Sequence, residues 1–171
     1  MRRHLARYTL LLGALCLLGA CGFQLRGTAG GTSLPDEWRT LYLATPNPNS
    51  EISRAITSNF AANGVTWVPR EQANYLVILG NERFSRRNLS LNADARASEI
   101  ELGLKLQFSV QDAEGNEVLE PSDASVFKQM ENDPSNVVGK AEEARILQGE
   151  MRTELAQQIM RRIGFFAAST N

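Results

Sequence analysis

Histidine and cysteine are almost missing from this chain. Among 171 residues there is one histidine, His4, and there are two cysteines, Cys16 and Cys21, all within the first 21 positions. Beyond Cys21 no imidazole or thiol remains, so Cys-His and Ser-His-Asp nucleophilic catalysis has no base of suitable pKa. Zinc sites built on His and Cys lack their ligands, and no disulfide can form downstream. A strong excess of positive charge is also absent: the formal net charge is −1. Nucleic-acid binders are normally strongly basic, so that class is excluded. No Gly-rich phosphate loop and no tight acidic cluster interrupts the chain. What stays open is carboxylate chemistry, Ser-Lys pairs and non-catalytic roles, with no metal and no cofactor expected.

What is present begins at the N-terminus. Arg2, Arg3 and Arg7 precede an apolar run from Leu10 that closes on Leu18-Gly19-Ala20-Cys21. The run falls short of the roughly 20 residues that a membrane-spanning helix needs. Small residues directly before a cysteine form a lipobox. The expected product is a bacterial lipoprotein that starts at Cys21 after removal of residues 1–20 and carries acyl chains at that position. Two or more such chains anchor stably. Gly22 stands where an aspartate would favour retention in the inner membrane, so outer-membrane sorting is the expectation. Loss of the three arginines takes the formal charge from −1 to −4.

The mature chain is long enough for one compact domain. Residues 21–37 are expected to be a lipidated N-terminus and flexible tether, because 27–33 hold only Gly, Ala, Ser and Thr. A single domain is expected over 38–166, with a short tail at 167–171. Leu41, Tyr42 and Leu43 mark a first strand, and Asn49 or Ser50 can cap the helix carrying Ile52, Ile56 and Phe60. Asn63-Gly64 suits its end. Tyr75–Leu79 is apolar on both faces and reads as an interior strand. Ile100, Leu102, Leu104, Leu106, Phe108 and Val110 alternate with wetter residues, the signature of a long half-buried strand. Asp112–Asn116 is turn chemistry, and Pro121 predicts a bulge in the returning strand. Ala144, Leu147, Met151, Leu155, Ile159 and Ile163 then fall on one helical stripe. The fold class expected is α+β, with two helices packed on one side of a mostly antiparallel four-stranded sheet.

The opening Cys21-Gly22-Phe23-Gln24-Leu25-Arg26-Gly27-Thr28 resembles that of the LptE family of outer-membrane lipoproteins. Ser53-Arg54-Ala55, Asn63-Gly64-Val65, Ala97-Ser98-Glu99-Ile100, Phe127-Lys128 and Glu150-Met151-Arg152 follow in the same order, so the resemblance covers essentially the whole mature chain. It implies a non-enzymatic protein that plugs the large β-barrel LptD, assists its assembly and binds lipopolysaccharide. Lipopolysaccharide carries phosphates and acidic sugars, which arginine and lysine recognise through charge-assisted hydrogen bonds. Arg83, Arg86, Arg87 and Arg96 bracket the connection at 88–95. Lys140 matches by position a family lysine before the last helix; for the family's second basic group, Arg87 or Arg96 would have to substitute. Leu89 and Leu91 at the tip of the connection are the candidates for contact with the barrel. Trp38, Trp67 and Phe84 suit either core or contact.

Two rivals remain at this stage. One is a generic scaffold or auxiliary lipoprotein of another envelope transport system. The other is a glycan-cleaving enzyme using Glu99 and Glu101, which lie on one face of a strand about 7 Å apart.

Overall fold

The first strand, β1 (Thr40–Ala44), follows a single turn of 3₁₀ helix at Asp36–Arg39 and leads into helix α1 (Glu51–Ala62). In this computed structural model residues 34–91 and 97–170 are described, with the side chains of Leu91 and Ala97 excepted. Ser50 is the N-cap of α1: its Oγ accepts from the Ser53 amide at 3.2 Å. The helix ends where Gly64 adopts φ 88°. The amides of Val65 and Gly64 donate back to the carbonyls of Phe60 and Ala61, satisfying groups the helix leaves open. Ser50→Ala is expected to lower stability by about 1 kcal/mol in urea unfolding, with Ser50→Asp restoring it. Equal loss in both variants would show that the cap contributes nothing.

After α1 come β2 (Thr66–Trp67), β3 (Tyr75–Leu79), β4 (Arg83–Leu91), β5 (Ala97–Asp112) and β6 (Glu117–Glu131). They form one six-stranded mixed sheet, which corrects the expected mostly antiparallel four-stranded one. β1 lies parallel to both β2 and β3, whereas β3, β4 and β6 all run antiparallel to β5. The physical reason is the crossover. A strand that returns through a helix comes back parallel, and the alternation of side chains that marks a strand is the same in either direction.

β5 is the axis of the sheet. β6 pairs with one of its edges, and β3 followed by β4 pairs with the other, separated by a break at Gly80–Glu82. The predicted bulge at Pro121 is present: Ser122 faces Phe108 and Leu119 faces Val110, which leaves Glu120 and Pro121 without a matching pair. The turn between β5 and β6 uses Gly115 at φ 91° and Asp112, whose carboxylate accepts from the Asn116 amide and side chain at 2.8 Å each. Those bonds hold Asp112 below the usual carboxylate pKa.

The last helix, α2 (Val137–Ser169), has 33 residues and so spans about 50 Å. The 16 residues of β5 extend a similar distance, which lets one helix cover the length of one strand. Met151, Leu155, Ile159 and Ile163 pack with the alternating face of β5 and with Ile52, Ile56 and Phe60 of α1 in one core. Ala144 and Leu147 of the predicted stripe are partly buried against it. Arg152 ties three elements together, binding Glu51 at the start of α1 at 2.5 Å and Glu82 in the β3–β4 break at 2.8 Å. Leu34, inside the stretch read as tether, is 1 % exposed, and Trp38 stacks on Tyr75 with Phe166 edge-on. With Leu34 before position 38 and Ala167 after position 166 both buried, the packed body takes in residues on both sides of 38–166. A tether is recognised by small polar residues, and Leu34 is the apolar one that ends this run.

Candidate functional site

Register decides which arginines can act together. Residues directly opposite in an antiparallel pair point to the same face. Arg86 is opposite Leu102, on the helix-covered face, whereas Arg83 and Arg87 are opposite Lys105 and Glu101, on the other. The single basic cluster expected from sequence is therefore divided between two faces of the sheet, because neighbouring residues of a strand alternate. Arg87 is paired with Glu101 at 2.9 Å. Arg96 and Cys21 lie outside the described residues, as does the side chain of Leu91. Leu89 is exposed at an irregular stretch of the β4–β5 register.

On the helix-covered face, Arg86 meets Lys140, which is 54 positions further along the sequence. Both line a groove of about 250 Å³ between the distal end of the sheet and the first turns of α2, floored by Met130 and Ala144 and edged by Asn132, Asp133 and Val137. Arg86 Nη2 reaches Asn132 Oδ1 at 3.5 Å. Lys140 Nζ donates to Glu143 Oε2 at 2.9 Å. That bond holds the lysine above its ordinary pKa, against a smaller opposing effect of burial, so it remains cationic through neutral pH. Asp133 accepts from the Ser135 hydroxyl at 2.6 Å and from its amide at 2.9 Å, which holds its pKa below the usual range. The groove thus offers two cations, with the Asp133 carboxylate held by Ser135 at its edge, over an apolar floor. The Lys140–Glu143 pair is only partly buried and joins residues three apart on one helix; such pairs are worth little, so Lys140 can exchange that partner for an anionic group.

The first turn of α2 adds apolar surface. Val137 and Val138 are 68 % and 84 % exposed, and Ile146 and Phe84 are also open to solvent. Trp38 is buried and Trp67 packs on Phe60 in the core, donating its indole N–H to the Thr57 carbonyl at 3.0 Å. Of the three aromatics left between core and contact, only Phe84 is on the surface. From sequence, Asn132-Asp133-Pro134 reads only as the break that ends the sheet. Nothing in a local pattern signals that a strand end and a helix start will wall a groove.

The acidic pair Glu99 and Glu101 does share the open face, but both carboxylates are engaged by neighbours. Glu101 is taken by Arg87, and Glu99 accepts from Ser90 at 3.0 Å. The sequence also holds one Ser-x-x-Lys spacing, Ser125 to Lys128. In a strand this spacing sends the two side chains to opposite faces: Ser125 is opposite Lys105 and Lys128 is opposite Leu102. Lys128 instead joins Glu150 and Glu154 of α2 at 3.2 and 3.7 Å. No group of three or more potential metal ligands occurs among the described residues, and none of their helices is long and apolar enough to cross a membrane.

Comparison with known proteins bears on the family and the fold. The LptE lipopolysaccharide-assembly family model matches residues 38–163. The LPS-assembly lipoproteins LptE of Yersinia pestis and Yersinia pseudotuberculosis are each 34 % identical over 159 residues, covering 91 % of this chain and 74 % of theirs. A lipoprotein B of Nitrosomonas europaea has the same fold, with a TM-score of 0.71 at 22 % identity over 86 % of this chain and 93 % of its own. A minor lipoprotein of Acinetobacter baumannii gives 0.63 at 25 % identity, over 74 % and 91 %. With the family model spanning the sheet and most of both helices, and relatives above 30 % identity along nearly the full length, the chain belongs to the LptE family of lipopolysaccharide-assembly lipoproteins.

Proposed function

We propose that the protein is anchored through acylated Cys21 to the periplasmic side of the outer membrane. There it partners the β-barrel LptD, assists its assembly and binds lipopolysaccharide at the Arg86–Lys140 groove. The observation that carries the reading is the convergence of those two cations on one groove with an apolar floor. Lipopolysaccharide is an anionic amphiphile, and this pairing of charge with apolar surface matches both of its halves. The exposed Val137, Val138 and Phe84 lie in elements that border the groove and supply further apolar surface. The role is one of binding and scaffolding, with no chemical step assigned to any residue.

The test is a mild-detergent pull-down of the natively lipidated protein from outer membranes, with its partners identified by mass spectrometry. A stoichiometric large β-barrel that survives washing is the expected result. Absence of both barrel and lipopolysaccharide would leave the generic scaffold reading in its place. Cys21→Ala is expected to shift the protein from the membrane to the soluble periplasmic fraction with its circular dichroism unchanged, since the core closes without lipid. A variant that stays membrane-bound would contradict the anchor.

A further inference from the structure

The face of the sheet away from the helices carries a second arrangement that the groove does not use. Arg83 of β4 and Lys105 of β5 stand directly opposite each other. Like charges in that relation repel and weaken a sheet. Both are exposed, and among the described residues neither has an ion-pair or hydrogen-bond partner. Their neighbours on this face differ: Arg87 is neutralised by Glu101, and Glu99 is engaged by Ser90.

On the other side of β5, Phe127 of β6 is directly opposite Gly103 and remains 51 % exposed. A Cβ at Gly103 would lie 3.1 Å from the ring, so the phenyl covers the glycine and turns its outer surface to solvent. The Lys105 ammonium stands 5.9 Å from the ring centroid. Covering a glycine accounts for the position of the ring, but not for Lys105 beside it and Arg83 directly across from Lys105, two cations with no anionic partner among the described residues. Ser125 opposite Lys105 and Gln129 opposite Glu101 place a hydroxyl and an amide on the same face.

We propose that this patch binds an anionic sugar, separately from the groove. The apolar C–H face of the pyranose stacks on Phe127, and its phosphate or carboxylate lies between Arg83 and Lys105. The ligand's negative charge removes the cross-strand repulsion that the free protein carries. Ser125 and Gln129 offer hydrogen-bond partners to the ring hydroxyls. The proposal does not depend on the groove, which lies on the opposite face.

Amide NMR spectra of the full lipidated protein in detergent, titrated with glucose-6-phosphate, glucuronate, glucose and inorganic phosphate, test it. The two anionic sugars are expected to shift the Gly103, Ser85 and Phe127 amides and to bind about fivefold or more tighter than inorganic phosphate or glucose. The tighter of the two identifies phosphate or carboxylate as the natural anion. Arg83→Ser with Lys105→Ser should weaken both by about tenfold while leaving the urea midpoint unchanged or higher. Phe127→Leu, which keeps Gly103 covered, should reduce glucose-6-phosphate to the affinity of inorganic phosphate. Arg86→Ser with Lys140→Ser should leave the titration as it was. Binding of inorganic phosphate as tight as that of the sugars, insensitivity to the Arg83 and Lys105 substitutions, or loss on altering Arg86 and Lys140 would each overturn the proposal. The last of these outcomes would leave the groove reading standing.

Discussion

Replacing Arg86 and Lys140 together by glutamate is expected to weaken lipopolysaccharide binding by about 100-fold. A charge-assisted hydrogen bond is worth roughly 1.5–3 kcal/mol where it is well made. The lower end of that range applies here because the groove is open to solvent, and about 1.4 kcal/mol for each residue is a factor of ten. Either single substitution should therefore cost about tenfold. The loss should grow at low ionic strength, where exposed charges act over a longer range. Reversal of Arg87 serves as the reference: it is on the opposite face and already engaged by Glu101, so groove binding should stay within about twofold of the parent. Because Lys140 is held above its ordinary pKa by Glu143, its charge and the binding it supports should persist as pH rises from neutral. Isothermal titration of the double variant with purified lipopolysaccharide is the measurement. Affinity equal to the parent would remove the groove from the function.

The second large effect concerns the platform rather than the site. Leu155→Ala is expected to cost about 3 kcal/mol, because the side chain is fully buried between α2 and the sheet and its truncation leaves a cavity as well as lost transfer energy. The urea midpoint should fall with the slope unchanged, since the surface exposed on unfolding is nearly the same. Val138→Ala, at an exposed position of the same helix, should cost less than about 0.5 kcal/mol. Similar costs for the two variants would contradict the packing of α2 by its Met151–Ile163 stripe. Since Arg152 links α2 to α1 and to the β3–β4 break, the loosened variant should also show faster amide exchange near Glu51 and Glu82.

The elements were legible wherever a pattern was long. Six alternating apolar residues announced β5 and six at helical spacing announced α2, because burial on one face imposes the period of the backbone on the sequence. Ser50, Gly64 and Gly115 were legible for a different reason: caps and left-handed turns need particular side chains at particular places. The parallel β1–β2 and β1–β3 pairs were not legible, since no side chain records the direction of its neighbour. The candidate groove was half legible. Arg86 and Lys140 were named as candidates, but so were Arg83 and Arg87, which point the other way. Asn132, Asp133 and Val137 were missed because a strand end and a helix start acquire a shared surface only after the chain has folded.

Sequence by itself determined the lipobox, the absence of imidazole and thiol beyond Cys21, the family and the two longest elements. All of these depend on residue type and local period. Tertiary structure decided which charges are neighbours. The pleat sends Arg86 to the helix side and Arg87 to the open side, and the antiparallel register sets Arg83 against Lys105. The length match between a 33-residue helix and a 16-residue strand carries Lys140 back over the far end of the sheet, where it meets Arg86.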